Sequence, residues 1–287
     1  MLIAIEGVDK SGKETQTALL LERLRIENRN ARKIEFPNYP SEAAVAIRMY
    51  LNGDFGINPD DVNPYAASVF FAVDRFASYK TDWGAFLAEG GIVIADRYTM
   101  SNMIHQGAKF TDLSERRKYI EWLVDLEFNK MGLPKPDIVI FLDLSMELRI
   151  KLLEQSKTVS RGIYNAAPPG KKPAIAAHHA APDALDTLKA PAASDVSDAS
   201  DTLETPDASD ISDALETPDA HITFAAPTAD IHERDLEYLR RSHICAGEVA
   251  KYLGWKRIEV GMRDTLRPAL EIHEELYAAI TPLLHTP

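Results

Sequence analysis

Apolar residues in this chain fall into short runs separated by longer stretches with helical spacing. The run Leu2-Ile3-Ala4-Ile5 predicts a strand over Leu2–Glu6. Similar runs predict strands over Lys33–Phe36, Gly91–Asp96, Ile138–Asp143 and Arg257–Val260. Between and after them, three-to-four-residue periodicity predicts helices over Lys13–Asn28, Ser41–Leu51, Pro64–Lys80, Ser114–Lys130, Met146–Glu154, Asp235–Leu253 and Pro268–Thr281. Strands that alternate with helices build a parallel sheet covered on both faces, so the expected class is α/β with a five-stranded parallel sheet. In such sheets ligands sit beyond the carboxyl ends of the strands.

The pattern breaks near Ser156. From there to about Ala229 the chain is rich in Ala, Pro, Ser, Thr and Asp, and Leu203-Glu204-Thr205-Pro206-Asp207-Ala208 recurs as Leu215-Glu216-Thr217-Pro218-Asp219-Ala220. With few aromatics and scattered prolines, this segment lacks the apolar surface needed to offset its ordering entropy, so disorder is expected. The same stretch reads either as a tolerated loop expansion or as an acidic arm for a basic partner.

Charge follows this division. The formal charge is −12, and residues 165–229 hold eleven acidic side chains against three lysines, leaving the remainder only mildly acidic. That balance argues against broad nucleic-acid binding. The single cysteine, Cys245, rules out an internal disulfide and suits a reducing cytoplasm. Met1 leads straight into the first strand with no basic region before it, and no apolar run reaches the ~18 residues of a membrane span; neither a signal peptide nor a membrane role is expected.

The chemistry begins at Gly7-Val8-Asp9-Lys10-Ser11-Gly12-Lys13-Glu14-Thr15, between the first strand and the first helix. Gly7, Gly12 and Lys13 fit the phosphate-loop pattern G-x-x-x-x-G-K-[ST], in which backbone amides cradle phosphates and the lysine reaches the β- and γ-phosphates. Glu14 departs from it. Asp96-Arg97-Tyr98 ends the strand at 91–96 and so lies on the same sheet edge. There Asp96 is placed to hold Mg²⁺ and Arg97 to clamp a phosphate, although the two also read as a structural ion pair.

These residues, together with Thr15-Gln16, Phe36-Pro37, Phe71-Ala72-Val73-Asp74-Arg75, Ser101-Asn102 and Gly132-Leu133-Pro134-Lys135-Pro136-Asp137, resemble the thymidylate kinase family. The resemblance runs from Met1 to about Asp143 and resumes from Asp230 to about Val260. It implies a P-loop kinase fold, with residues 1–156 and 230–287 forming the kinase domain and 157–229 forming a lid that carries the low-complexity insertion. It implies transfer of the γ-phosphoryl of ATP to dTMP, giving dTDP, with Mg²⁺ as cofactor and a homodimer as the assembly.

Residue by residue, the resemblance implies that Gly7 to Thr15 bind ATP and that Lys13, Arg97, Asp96 and a lid arginine, Arg161 or Arg234, serve catalysis. For dTMP it implies Asp9 at the sugar 3′-hydroxyl, Phe36 and Ser101 in the acceptor site, and Arg97 at the phosphate. Phe71 would stack on the base, Arg75 would donate to a base carbonyl, Asn102 would read the base edge, and Tyr98 would pack by the sugar. Glu233 would approach the metal or the phosphates. Read without the family, Phe70 and Phe71 suit a helix core. Asn102 suits a helix cap, and Glu233 suits a helix start.

Two departures bear on this assignment. Glu14 replaces the expected hydroxyl, and a carboxylate suits Mg²⁺, so Glu14 is a candidate metal ligand alongside Asp96 and Glu233 while Thr15 bonds a phosphate. Asn38 follows Phe36-Pro37 where an arginine is common, leaving Arg97 or Arg48 to supply that charge. Rival readings are a kinase for another nucleoside monophosphate or a deoxynucleoside, and a nucleotide-binding regulator without transfer activity.

Overall fold

The computed structural model describes residues 1–154, 230–262 and 265–285. The segment 157–229, with the expected disorder, the lid and Arg161, lies outside the described residues.

Five parallel strands form the sheet: β1 (Leu2–Gly7), β2 (Ala31–Glu35), β3 (Ile92–Asp96), β4 (Ile138–Asp143) and β5 (Lys256–Glu259), in the order β2-β3-β1-β4-β5. Central β1 is buried along its whole length. Its register, Ile5 opposite Asp96 and Gly7 opposite Leu142, brings the carboxyl ends of β1, β3 and β4 to one edge. Expected fold class and sheet composition are therefore met.

Alternation along β1 divides the core. Ile3 and Ile5 pack with Leu20 and Leu24 of α1 (Lys13–Ile26) on one face. Leu2 and Ala4 pack with Met100, Tyr119 and Leu123 on the other. That is the two-residue period of a strand expressed as two hydrophobic layers, in which each fully buried aliphatic side chain contributes about 1.5–3 kcal/mol. The helices α2 (Val45–Asn52) and α3 (Pro64–Ser78) make a third, smaller cluster at the strand ends.

The structure corrects several expected boundaries. The helix expected to reach Lys80 ends at Ser78 and passes through a π turn, Tyr79–Trp83, into α4 (Gly84–Ala88). Thr99–His105 forms α5, which the sequence pattern did not signal. The helix expected over Ser114–Lys130 is α6 (Leu113–Val124), followed by a second π turn, Asp125–Lys130. A π turn shifts the register of the side chains beyond it, and here it carries the buried Glu127.

After β4, α7 covers 146–154 at the edge of the described segment. The described residues resume with α8 (Ile231–Arg234) and α9 (Leu236–Tyr252). A short hairpin, β6 (Gly261–Met262) with β7 (Thr265–Leu266), precedes α10 (Ala269–Leu284). The last helix runs past Pro282, beyond the expected stop at Thr281, because Leu284 still packs into the α1 and α10 core. No described helix is long and apolar enough to cross a membrane.

Candidate active site

Strand β1 ends in Gly7, and the loop between it and α1 is tightly determined. A side chain at Gly7 would place its Cβ 2.4 Å from Ser11 Oγ and 2.8 Å from the Leu142 carbonyl oxygen. Gly12 caps α1 in the left-handed region, at φ 87°, a conformation that costs glycine little. The loop amides and the first turn of α1 thus face the sheet edge, a ready anion site. Lys13 reaches back across the loop, its Nζ donating to the Gly7 and Val8 carbonyls at 3.0 and 2.9 Å. Burial lowers its pKa to about 8, helped by Arg97 and opposed by Asp9, Asp96 and Glu6.

Asp9 is the centre of charge. Its Oδ1 accepts from Arg97 Nη2 at 2.5 Å and its Oδ2 from Arg149 Nη2 at 2.9 Å. Burial alone would raise its pKa, but Arg97, Lys13 and Arg149 together hold it well below the usual carboxylate range. Arg97 follows β3 in the left-handed region, at φ 66°, a conformation that costs a non-glycine residue about 1–2 kcal/mol. What secures that turn is Glu6, fully buried on β1, which accepts from the Tyr98 amide and the Ser101 hydroxyl, each at 2.7 Å.

Beside this cluster lies a cavity of about 190 Å³. Every residue the resemblance implied for dTMP lines it: Asp9, Phe36, Phe71, Arg75, Arg97, Tyr98, Ser101 and Asn102, with Glu233 at the same wall. Phe71 and Arg75, one turn apart on α3, both face it. Phe70 packs instead on Phe55, with ring centroids 5.7 Å apart. Arg75 is held by Glu127 through a bidentate pair, Nε to Oε2 at 2.7 Å and Nη2 to Oε1 at 2.6 Å, and Thr99 Oγ1 donates to the same carboxylate.

Asn102 is not a helix cap; Tyr98 holds that position for α5, and the Asn102 amide nitrogen donates to the Ser68 carbonyl. The Tyr98 hydroxyl donates to the Pro134 carbonyl at 3.0 Å, which anchors this lining residue. Arg48 donates to the Tyr39 and Ser41 carbonyls and does not line the cavity; it braces the loop that carries Tyr39. Arg234 is exposed and away from the cavity wall.

For a metal, the available donors are hard carboxylate oxygens, the right chemistry for Mg²⁺. Asp96, buried at the end of β3, stands 3.5 Å from Lys33 Nζ, while Glu14 and Thr15 are exposed on the first turn of α1. Among the described residues no three His, Cys, Asp or Glu side chains gather into a cage. An ion held mainly by nucleotide phosphates and water fits such a donor set, because Mg²⁺ commonly takes only one or two protein carboxylates.

Several cavity and support residues escaped the sequence reading. Glu6 was signalled by a lone charge in an otherwise apolar strand. Arg149, four residues before the apolar Leu153, reads in the sequence as one charge on an ordinary helix. His105, Gln106 and Tyr39 line the cavity and carried no pattern of their own, while Asp230 and His232, also lining it, lie where the resemblance resumes but had no role assigned. Asp230 caps α8 by accepting from the Glu233 amide, and burial raises its pKa to about 6.

The His105 and His232 rings stack 5.7 Å apart at 4°. Lys109 and Gln106 donate to the Tyr50 hydroxyl oxygen, so its proton goes to His232 Nε2, 2.9 Å away. Burial, reinforced by Lys109, lowers the His232 pKa to about 3, and burial with Arg97 lowers that of His105 as well. With the His232 pKa lowered to about 3, the unfolded chain binds more protons at this residue between pH 6.5 and 3 and stability falls as pH falls, and the lowered His105 acts in the same sense. Asp230 acts in the opposite sense between about pH 4 and 6. Thermal unfolding of His232→Asn should therefore show a shallower loss of stability from pH 6.5 to 5, by about 1–2 kcal/mol, than the parent. An unchanged slope would rule out a neutral buried ring.

The thymidylate kinase family model matches residues 5–164. A thymidylate kinase of Mycobacterium tuberculosis (strain ATCC 25618 / H37Rv) is 37% identical over 150 residues, 52% of this chain and 68% of the relative. The thymidylate kinase of Homo sapiens is 30% identical over 145 residues, 50% of this chain and 61% of the relative. In fold, the chain matches the thymidylate kinase of Candida albicans with a TM-score of 0.56 at 20% identity, covering 99% of this chain and 92% of that one. The phosphate loop, the arginine turn and most of the cavity wall lie on the matched stretch, and the chain belongs to the thymidylate kinase family.

Proposed function

We propose that this protein transfers the γ-phosphoryl group of ATP to dTMP, releasing dTDP and ADP. The observation that carries the reading is the meeting of two sites at one residue: Asp9 belongs to the phosphate loop and also lines the cavity walled by Phe71 and Arg75. A donor phosphate on the loop and a nucleotide in the cavity would thus have their phosphates side by side.

The acceptor is already an ionised phosphate at neutral pH, so one of its oxygens attacks the γ-phosphorus without a base while the bond to the β-phosphate oxygen breaks. Catalysis is then positioning and charge neutralisation. Lys13 would leave the Gly7 and Val8 carbonyls for the β- and γ-phosphates, and Arg97 would take the acceptor phosphate. Asp9 would accept from the sugar 3′-hydroxyl, Phe71 would cover the base, and Arg75 and Asn102 would read its polar edge. Phe36, Tyr98 and Ser101 complete the wall. Mg²⁺, held by Asp96 or Glu14 with Glu233 near the phosphates, would neutralise charge on the transferring group. The exposed pair Val69 and Val73, four apart on the outer face of α3, offers an apolar strip for the homodimer.

An ADP-release assay with dTMP, dUMP, dCMP and thymidine as acceptors tests the reading. The expected result is dTMP-dependent release well above that with the others. ATP binding without dTMP-dependent release, or a preference for thymidine, would overturn it.

A further inference from the structure

Arg149 lies outside the set of residues that the sequence and the family supply, yet it is tied to the centre of the site. It stands on α7, fully buried. Its Nη2 donates to Asp9 Oδ2 at 2.9 Å and its Nη1 to the Leu239 carbonyl of α9 at 3.0 Å, with Ser242 Oγ at 3.5 Å. Its Nε is buried without a partner. Burying a guanidinium so completely is costly, and the Asp9 carboxylate is its ionic compensation.

Asp9, however, already has a cation. Arg97 takes its other oxygen at 2.5 Å, and one guanidinium is enough to neutralise one carboxylate. The two arginines differ in how they are held. Arg149 does not line the cavity and is fixed between α7 and α9. Arg97 lines the cavity, and apart from Asp9 its contacts are long, 3.3 Å to Ser101 Oγ and 3.4 Å to both the Gly7 carbonyl and His105 Nε2. With two partners, Asp9 can give up the one whose other contacts are long and still be paired.

We propose that Arg149 is a positioning residue which keeps Asp9 paired and oriented while Arg97 turns from Asp9 to the acceptor phosphate. The inference rests on the dTMP kinase reading of the site. Without Arg149, moving Arg97 would strip a largely enclosed carboxylate of its last guanidinium, so Arg97 stays on Asp9 and the phosphate loses its clamp. The loss should appear in turnover and in the acceptor KM, and much less in the KM for ATP. A lysine at 149 restores the charge with fewer donors. An asparagine at 9 removes the need for any counter-ion.

Steady-state kinetics on the full chain test this with wild type, Arg149→Gln, Arg149→Lys, Asp9→Asn and the Asp9→Asn/Arg149→Gln double variant. Thermal midpoints are measured for each, and dTMP affinity by calorimetry is read in the same proteins where turnover is slow. Arg149→Gln should lower kcat/KM for dTMP by about 10- to 100-fold, the scale of a small misplacement of a reacting group. Arg149→Lys should recover most of that. In the Asp9→Asn background the Gln substitution should change dTMP affinity and kcat/KM by no more than about twofold, the non-additivity of two residues acting as one unit. Losses that multiply in the double variant, or Arg149→Gln kinetics within about twofold of wild type, would overturn the proposal. Wild-type protein without dTMP-dependent ADP release would instead overturn the reading of the function, and this inference with it.

Discussion

Arg97→Ala should lower turnover by about 10²–10³-fold, the usual consequence of losing one donor to a developing or transferred charge. The expectation follows from where the side chain sits. Among the described residues, Arg97 is the only arginine that both touches the phosphate loop, through Asp9 and the Gly7 carbonyl, and lines the neighbouring cavity. Lys13 occupies the loop side of the same junction, and its substitution by alanine should cost a comparable factor. Arg97→Lys should recover little, since a single ammonium cannot span two oxygens as a guanidinium does. The turn itself survives in each variant, because Glu6 holds the Tyr98 amide and Ser101 hydroxyl independently of the side chain at 97. Kinetics with ATP and dTMP, paired with thermal midpoints, check this: a folded Arg97→Ala protein with near-normal kcat would remove Arg97 from the reaction.

How much of this was legible in the sequence depends on the range of the signal. The strands and the phosphate loop are local: an apolar run followed by Gly7, Gly12 and Lys13 specifies a strand, a turn and a helix start within a few residues. The spacing of Phe71 and Arg75 was equally readable, because four residues on a helix define one face whatever the helix packs against. Which of Phe70 and Phe71 faces the cavity was implied by the family resemblance and not by helical spacing, since both are apolar and it is Phe55, from elsewhere in the chain, that packs on Phe70. The same limit applies to Arg149 and Glu127. Each looks like a charge on an ordinary helix until tertiary packing brings Asp9 or Arg75 to it. The two π turns were also illegible, because no residue type marks them as Gly or Pro marks a helix end.

Glu127→Ala should be the most destabilising single change at the site, by about 3–5 kcal/mol, because it leaves Arg75 charged and buried without its partner. Arg75 is 2% exposed and Glu127 is fully buried, so neither can turn to water. For a domain of this size, that loss lowers the thermal midpoint by roughly 10 °C. The pair also has a functional consequence, since Glu127 fixes the guanidinium that lines the cavity, and Thr99 fixes Glu127. Glu127→Gln keeps the shape but offers Arg75 a neutral partner, and should raise the dTMP KM more than it lowers stability. The decisive comparison is Arg75→Met with Glu127→Leu: removing both charges should restore much of the midpoint lost in Glu127→Ala, because two apolar side chains owe no desolvation. The same double variant should stay weak for dTMP. Recovery of both properties would mean that Arg75 braces α3 and has no part in holding the base, whereas recovery of stability alone separates the two roles of one buried pair.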